Sequence, residues 1–342
     1  MRAVLLREHG GPEVLRVEEV PDPTPGPGEV VVRVRACALN HLDVWVRRGI
    51  PGAPFHLPMI TGADIAGDVH AVGLGVEKWH PGDPVMVAPG VSCGQCVRCQ
   101  AGADHLCPKY GILGETQPGG LAELVAVPAV NLFAKPARLT YPDAAALSLS
   151  FLTAWHMLVA RAELREGETV LVHAGGSGVG SCAVQIAKHL GAQVIATAGS
   201  ARKLELAKEL GADETIGYRE EDFVSRVKAL TDRRGVDVVF EHVGGEVFER
   251  SLRCLAWAGR LVTCGATTGI DARVNLRHLF FKSQSILGST MGTRQEFAQL
   301  VSLYDAGHFR SVIDRVVPME EIADAHRAIE AREVFGKVVV TP

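Results

Sequence analysis

The stretch that most constrains this 342-residue chain is the twenty residues from Thr169 to Lys188. Thr169-Val-Leu-Val-His173 is an apolar run of strand length, Ala174 to Gly180 is a turn holding four glycines, and Ser181-Cys-Ala-Val-Gln-Ile-Ala-Lys188 opens a helix. Strand, glycine turn and helix in that order make a dinucleotide-binding geometry. Glycines let the backbone approach a pyrophosphate, free amides at the helix N-terminus hold its charge, and close helix–strand packing becomes possible. The strict G-x-G-x-x-G is not met: read from Gly175, Ser177 replaces the second glycine, and Gly178, Val179 and Gly180 follow. A plain tight turn of an α/β protein fits the same residues, so the surroundings have to decide.

From Ala144 onward strand-like and helical segments alternate. Residues 169–173, 193–197, 236–241, 260–264 and 285–287 read as strands, with helical patterns at 179–190, 201–210 and 221–231 between them. Such alternation predicts a parallel, doubly wound sheet. The first 135 residues instead show short β-rich runs (4–7, 14–18, 29–35) broken by Pro and Gly, which predicts an all-β unit. Beyond about residue 289 come a helix over 294–306, a charged helix over 319–331 and a closing strand over 337–341. A length of 342 residues suits two domains.

Charge narrows the partners. With 35 Lys+Arg against 39 Asp+Glu and a net charge of −4, nothing forms a basic footprint for nucleic acid or an anionic membrane, so a small-molecule partner is expected. The N-terminus shows neither a signal nor a transit pattern, which leads us to expect a cytoplasmic protein. The uncharged runs 144–160 and 169–187 carry hydroxyls, a histidine or glycines and are read as core elements rather than membrane spans.

Four of the eight cysteines cluster: Cys93-Gly-Gln-Cys96-Val-Arg-Cys99, then Cys107-Pro108. Four soft ligands in one loop suit a closed, tetrahedral structural zinc site, one ion per chain. An iron–sulfur cluster shares the C-x2-C-x2-C start but places three residues, not seven, before its fourth cysteine. Free or oxidised thiols are the remaining alternative.

After the second strand of the dinucleotide unit, a fold preferring NAD would present an acid to the ribose. Here the run is Thr197-Ala-Gly-Ser-Ala-Arg-Lys203, small residues followed by two cations, which suits the 2′-phosphate of NADP(H). Solvated charges at a helix start would look the same, and NAD(H) stays possible.

The proline-glycine entry Pro25-Gly-Pro-Gly28, Cys37 after a strand, the four-cysteine lobe, the Ala174–Gly180 turn and the terminal Gly336-Lys337-Val-Val together resemble the medium-chain dehydrogenase/reductase superfamily. The resemblance covers the whole chain. It implies an α/β protein with a GroES-like β catalytic domain formed by residues 1–149 and 289–342, its structural-zinc lobe at 90–110, and a doubly wound Rossmann cofactor domain at 150–288. A nicotinamide cofactor would occupy the interdomain cleft. It also implies a homo-oligomer, dimer or tetramer.

Zinc alcohol dehydrogenases of that superfamily hold a catalytic zinc with a Cys, the His of a Gly-His-Glu and a further Cys or acid. Cys37 matches the first, but Gly62-Ala-Asp64 puts Ala63 at the His position and the third position falls near Leu149. His41 and His56 are candidate substitutes. The same segments resemble the quinone-oxidoreductase branch: Asn40-His-Leu-Asp43 matches its Asn-x-x-Asp, and Gly199-Ser200, Lys203 and Tyr218 match its NADPH contacts. By the same resemblance Thr153 lies beside the nicotinamide, Val243 lines the cofactor, Cys264 and Leu287 offer backbone groups to the carboxamide, and Lys337 contacts the pyrophosphate.

The leading expectation is hydride transfer from NADPH to a quinone, enone or other carbonyl substrate without catalytic zinc. Asn40 would be a polar donor, Asp43 and Asp64 orienting or proton-handling groups, and Cys37 either a displaced ligand or a small buried hydrophobe. Asn40 and Asp43 also suit a plain turn. A zinc-dependent alcohol dehydrogenase, in which the metal polarises the substrate oxygen, and an NADP(H)-binding sensor or structural module with little turnover are the alternatives.

Overall fold

Residues 1–50 and 55–342 are described in the computed structural model, and they divide into two units: Met1–Ser150 with Gly292–Pro342, and Phe151–Met291. In the second unit the apolar runs form a six-stranded, all-parallel sheet. Its order is Glu214–Gly217, Gln193–Ala198, Thr169–Val172, Val236–Glu241, Leu255–Thr263 and Ser285–Gly288. Thr169–Val172 is buried at every position, as a strand covered on both faces by crossover helices must be. Strand order reverses at this strand, so its C-terminal end is the topological switch point where such sheets bind ligands. The helix Gly178–His189 starts there, with the Ser177 hydroxyl accepting from the Gly180 N–H and Lys188 and His189 in its last turn, where cations complement the dipole.

The first unit is built on Glu29–Ala38, which pairs antiparallel with Asp64–Val72, Leu124–Pro128 and the C-terminal strand Lys337–Thr341. The last of these is what returns the chain end to the N-terminal unit, with Val339 opposite Ala38 and Val340 opposite Cys37. Val30, Val32, Val34, Cys37, Val338 and Val340 lie in one buried cluster with residues of the helix Ile322–Glu330.

Two expectations need correction here. The first 135 residues are not all β: His41–Arg48 is a helix, and Val97–Gln100 makes a further helical turn. Asn40 and Asp43 stand at the N-cap and N3 positions of the former, and their mutual hydrogen bonding ends the strand run and starts a helix. The second unit also has a strand, Glu214–Gly217, that the apolar pattern missed because only Ile216 in it is fully buried. Among the described residues one stretch, Tyr141–Arg161, is long and apolar enough to cross a membrane, and 78% of its most apolar window is buried.

Candidate functional site

The start of the helix His41–Arg48 organises a buried polar network in the first unit. The Asn40 N–H donates to Asp43 Oδ2 at 2.7 Å, and Asp43 Oδ1 accepts from the Gly62 N–H at 3.0 Å. Burial raises the Asp43 carboxyl to about 6 despite these two donors. Gly62 has φ +99°, and a Cβ there would stand 2.6 Å from Cys37 Sγ, so only glycine lets this loop lie against the thiol. Asp64, wholly buried, receives three donors: Leu149 N–H on Oδ1 at 2.7 Å, and Asn40 Nδ2 and Lys337 Nζ on Oδ2, each at 2.9 Å. Lys337 Nζ also donates to Asn40 Oδ1 at 2.5 Å and to Ser150 Oγ at 3.4 Å.

Lys337, expected on the pyrophosphate, is held in this buried network. The register of its strand against Glu29–Ala38 carries it to the Asn40 end of the helix, where it is 4% exposed and its ammonium is taken up by Asp64, Asn40 and Ser150. A buried ammonium needs such partners to offset its desolvation. Ser150 was not anticipated, but a lysine opening the apolar run Lys337-Val-Val-Val is a readable sign of a buried ion pair. Cys37 is buried between the Gly62 loop and Leu121, and burial first, then Asp43 and Asp64, push its thiol well above the ordinary range. Ala63 is buried as well. His41 packs edge-on against Trp45 at 5.2 Å between ring centres.

The four-cysteine lobe closes on itself. Sγ atoms of Cys93, Cys96, Cys99 and Cys107 all lie within 4.8 Å of one another, with 3.5 Å for Cys96–Cys99 and Cys93–Cys107 and 3.9 Å for Cys93–Cys99. Zinc–thiolate bonds of ordinary length put tetrahedral sulfurs about 3.8 Å apart, so the donor set fits a zinc ion. Lys109 N–H donates to Cys107 Sγ at 3.3 Å, and backbone donors from Gln95 and Cys96 pull the Cys93 thiol down to about 6, which favours the thiolate. Among the described residues it is the one group of three or more His, Cys, Asp or Glu side chains close enough to share an ion. All eight cysteines are unbridged.

In the second unit the glycine turn and the residues expected on the adenosine side come together. Gly175 N–H donates to Thr197 O at 2.8 Å, tying the turn to the end of the second strand. A Cβ at Gly180 would overlap the Ala174 carbonyl oxygen. Gly178 and Val179, as the first helical residues, carry amides that no turn of their own helix can satisfy. The Lys203 stem lies over Gly176, with its Cβ and Cγ 2.9 Å from where a Cβ there would stand. The Tyr218 hydroxyl lies over Gly199, and Ser200 is the N-cap of the helix Ala201–Glu209 without using its side chain as a cap. No carboxylate occupies the end of the strand Gln193–Ala198. Val243 follows Val236–Glu241 and donates its N–H to Glu241 Oε1 at 2.7 Å; Cys264 follows Leu255–Thr263, and Leu287 lies in the outermost strand. Thr153 is 7% exposed and its Oγ1 has no hydrogen-bond partner in the protein, the mark of a donor completed by a ligand. The glycine approach and the orphaned hydroxyl fit a dinucleotide.

These features define a two-unit dehydrogenase with a dinucleotide turn and a cysteine metal lobe. Residues 178–306 match the zinc-binding dehydrogenase family and residues 26–137 the alcohol dehydrogenase GroES-like domain. A quinone oxidoreductase of Pseudomonas aeruginosa is 36% identical over 350 aligned positions, covering 100% of this chain and 99% of its own length. The crystal structure of an NAD-dependent alcohol dehydrogenase is 49% identical, with a TM-score of 0.97 and full coverage of both chains. A cobalt- and zinc-bound thermostable alcohol dehydrogenase from Pyrobaculum aerophilum is 35% identical, with a TM-score of 0.91, covering 100% of this chain and 99% of that one. The chain belongs to the medium-chain dehydrogenase/reductase superfamily and is an NAD(P)-dependent oxidoreductase.

Proposed function

We propose that this oxidoreductase reduces a quinone, enone or other carbonyl substrate with NADPH and without a catalytic zinc, and carries one structural zinc in its cysteine lobe. The observation that carries the reading is the saturation of Asp64, whose two oxygens already accept from Leu149, Asn40 and Lys337. With Ala63 beside it and Cys37 held as a buried thiol, the set falls short of the three protein ligands that a catalytic zinc takes.

The bound nicotinamide supplies the hydride. Gly178 and Val179 amides hold the pyrophosphate, Thr153 Oγ1 bonds the nicotinamide side, and Ser200, Lys203 and Tyr218 hold the ribose 2′-phosphate. Val243, Cys264 and Leu287 line the cofactor. Asn40 Nδ2 donates to the substrate oxygen as negative charge grows on it, a pre-oriented donor of the oxyanion-hole kind. Asp43 and Asp64 orient that amide from its backbone and its side chain.

The test combines zinc stoichiometry with oxidation of NADPH and NADH by a naphthoquinone, an enone and an aldehyde. One zinc per chain with chelator-insensitive, NADPH-preferring turnover of quinone or enone is expected. Two zincs per chain with chelator-sensitive alcohol oxidation overturn the reading in favour of a zinc alcohol dehydrogenase, which the names of the two solved relatives support. Tight NADPH binding with no turnover across the panel points to a sensor module. Lys203→Ala should weaken NADPH tenfold or more and leave NADH within twofold.

We also propose a homo-oligomer. The strand Ser285–Gly288 ends the parallel sheet with its outer edge unpaired among the described residues, and Trp257 and Phe281, in ring contact at 5.4 Å, are each 64% exposed. A second copy pairing along this edge would cover both. Light scattering that gives a monomer at micromolar concentration removes this part.

A further inference from the structure

We infer that Lys337 is a positioning residue: with Asp64 it locks the Asn40 carboxamide in a single orientation, and so sets the direction of the one amide hydrogen left for a substrate oxygen. The inference rests on the proposed reading only for the role of Asn40 toward substrate; the locking itself stands on the geometry.

An ammonium offers donors only and a carboxylate acceptors only. Lys337 Nζ is 2.5 Å from Asn40 Oδ1, and Asp64 Oδ2 is 2.9 Å from Asn40 Nδ2. Turning the amide over would set its NH2 against the ammonium and its oxygen against the carboxylate, replacing two charge-assisted hydrogen bonds with two repulsions. The third edge of the triangle, Lys337 Nζ to Asp64 Oδ2 at 2.9 Å, holds the two charges together. Ser150 Oγ, 3.5 Å from Asn40 Oδ1 and 3.4 Å from Lys337 Nζ, closes the far side.

Exposure gives the arrangement a direction. Asp64 is 0%, Ser150 3% and Lys337 4% exposed, while Asn40 is only partly buried. The ammonium has three hydrogens and faces three acceptors within the first unit, Asn40, Asp64 and Ser150. Asn40 has two amide hydrogens and gives one to Asp64. Its second hydrogen is the network's outlet, and it is aimed by charges that solvent does not reach.

The experiment is a double-mutant cycle of Lys337→Met and Asn40→Ala, read by the NADPH dissociation constant without substrate and by kcat. The reductant is NADPH and the acceptor whichever of quinone, enone or aldehyde the wild type reduces fastest. We expect Lys337→Met to lower kcat 10- to 100-fold and leave the NADPH dissociation constant within twofold. In the Asn40→Ala background the same change should cost less than twofold more.

Should Lys337→Met fail to fold, Lys337→Met with Asp64→Asn removes both members of the buried ion pair and is expected to fold with the same loss of kcat. A readout free of turnover uses the scarcity of asparagine, since the chain has only Asn40, Asn131 and Asn275. The Asn40 side-chain amide pair, assigned in nitrogen-15 NMR spectra by its loss in Asn40→Ala, should be shifted and exchange-protected in the wild type and return to free-amide values in Lys337→Met. A tenfold weaker NADPH complex with unchanged kcat, independent losses in the cycle, or an Asn40 amide indifferent to Lys337→Met each overturns the inference. Failure of the quinone reading shows instead as a change of preferred substrate or an absence of turnover, with the amide spectrum still diagnostic.

Discussion

Gly180→Ala is the sharpest probe of the dinucleotide turn. A Cβ at this position overlaps the Ala174 carbonyl oxygen and stands 2.9 Å from both its carbon and Ser177 Oγ. Carbon–carbon separations settle near 3.5 Å or beyond, so the turn must open by roughly 0.6 Å or more to accept one methyl group. That movement strains the cap in which Gly180 N–H donates to Ser177 Oγ at 3.0 Å, and losing a helix cap costs about 1 kcal/mol. In a chain of this size that is a fall of about 1.5 °C in melting temperature. The functional effect should be larger. The amides of Gly178 and Val179 sit inside the displaced segment, and a shift of that size in groups that hold a charged ligand costs about tenfold in affinity, or about 1.4 kcal/mol. Titration of NADPH by fluorescence energy transfer, with differential scanning fluorimetry on the same samples, measures both. A variant that binds NADPH within twofold of wild type after losing stability as described would refute the assignment of the pyrophosphate to this turn.

Other outcomes follow from the same geometry. Cys107→Ser should reduce bound zinc from about one to near zero per chain and lower the melting temperature by several degrees, because the lobe has no other closure; plasma mass spectrometry and fluorimetry check it. Asp43, whose carboxyl sits at about 6 against an unfolded value of 3.8, binds its proton more tightly in the native state. Its contribution to stability therefore falls as pH rises from 4 to 6, by about 3 kcal/mol. Urea denaturation should show wild type losing that much relative to Asp43→Asn across this window, and a flat difference counts against it. Arg47, 1% exposed, donates to Glu330 at 2.5 Å, so Glu330→Gln should cost about 3 kcal/mol in chemical denaturation by leaving a buried guanidinium without its counter-charge.

How far residues could be read before the structure depended on how locally their chemistry is decided. The glycine turn needs only its own strand and helix, and the cysteine lobe spans fifteen residues, so both were legible from spacing. Asn40 and Asp43 were legible as a motif but not as a helix start, because a capping pair and an active-site pair share the same residues at the same separation. The place of Lys337 in this network was not legible for the opposite reason: its partner Asp64 lies 273 positions away.

The sequence alone thus determined the alternating α/β half, the dinucleotide turn and the metal lobe, since short-range periodicity and ligand spacing carry them. Tertiary structure alone decided that the C-terminal strand pairs with Glu29–Ala38, and through that register that Lys337, Asp64, Asn40 and Ser150 meet. A buried charge has to find its counter-charge wherever the fold brings one, and no local pattern records which distant residue that will be.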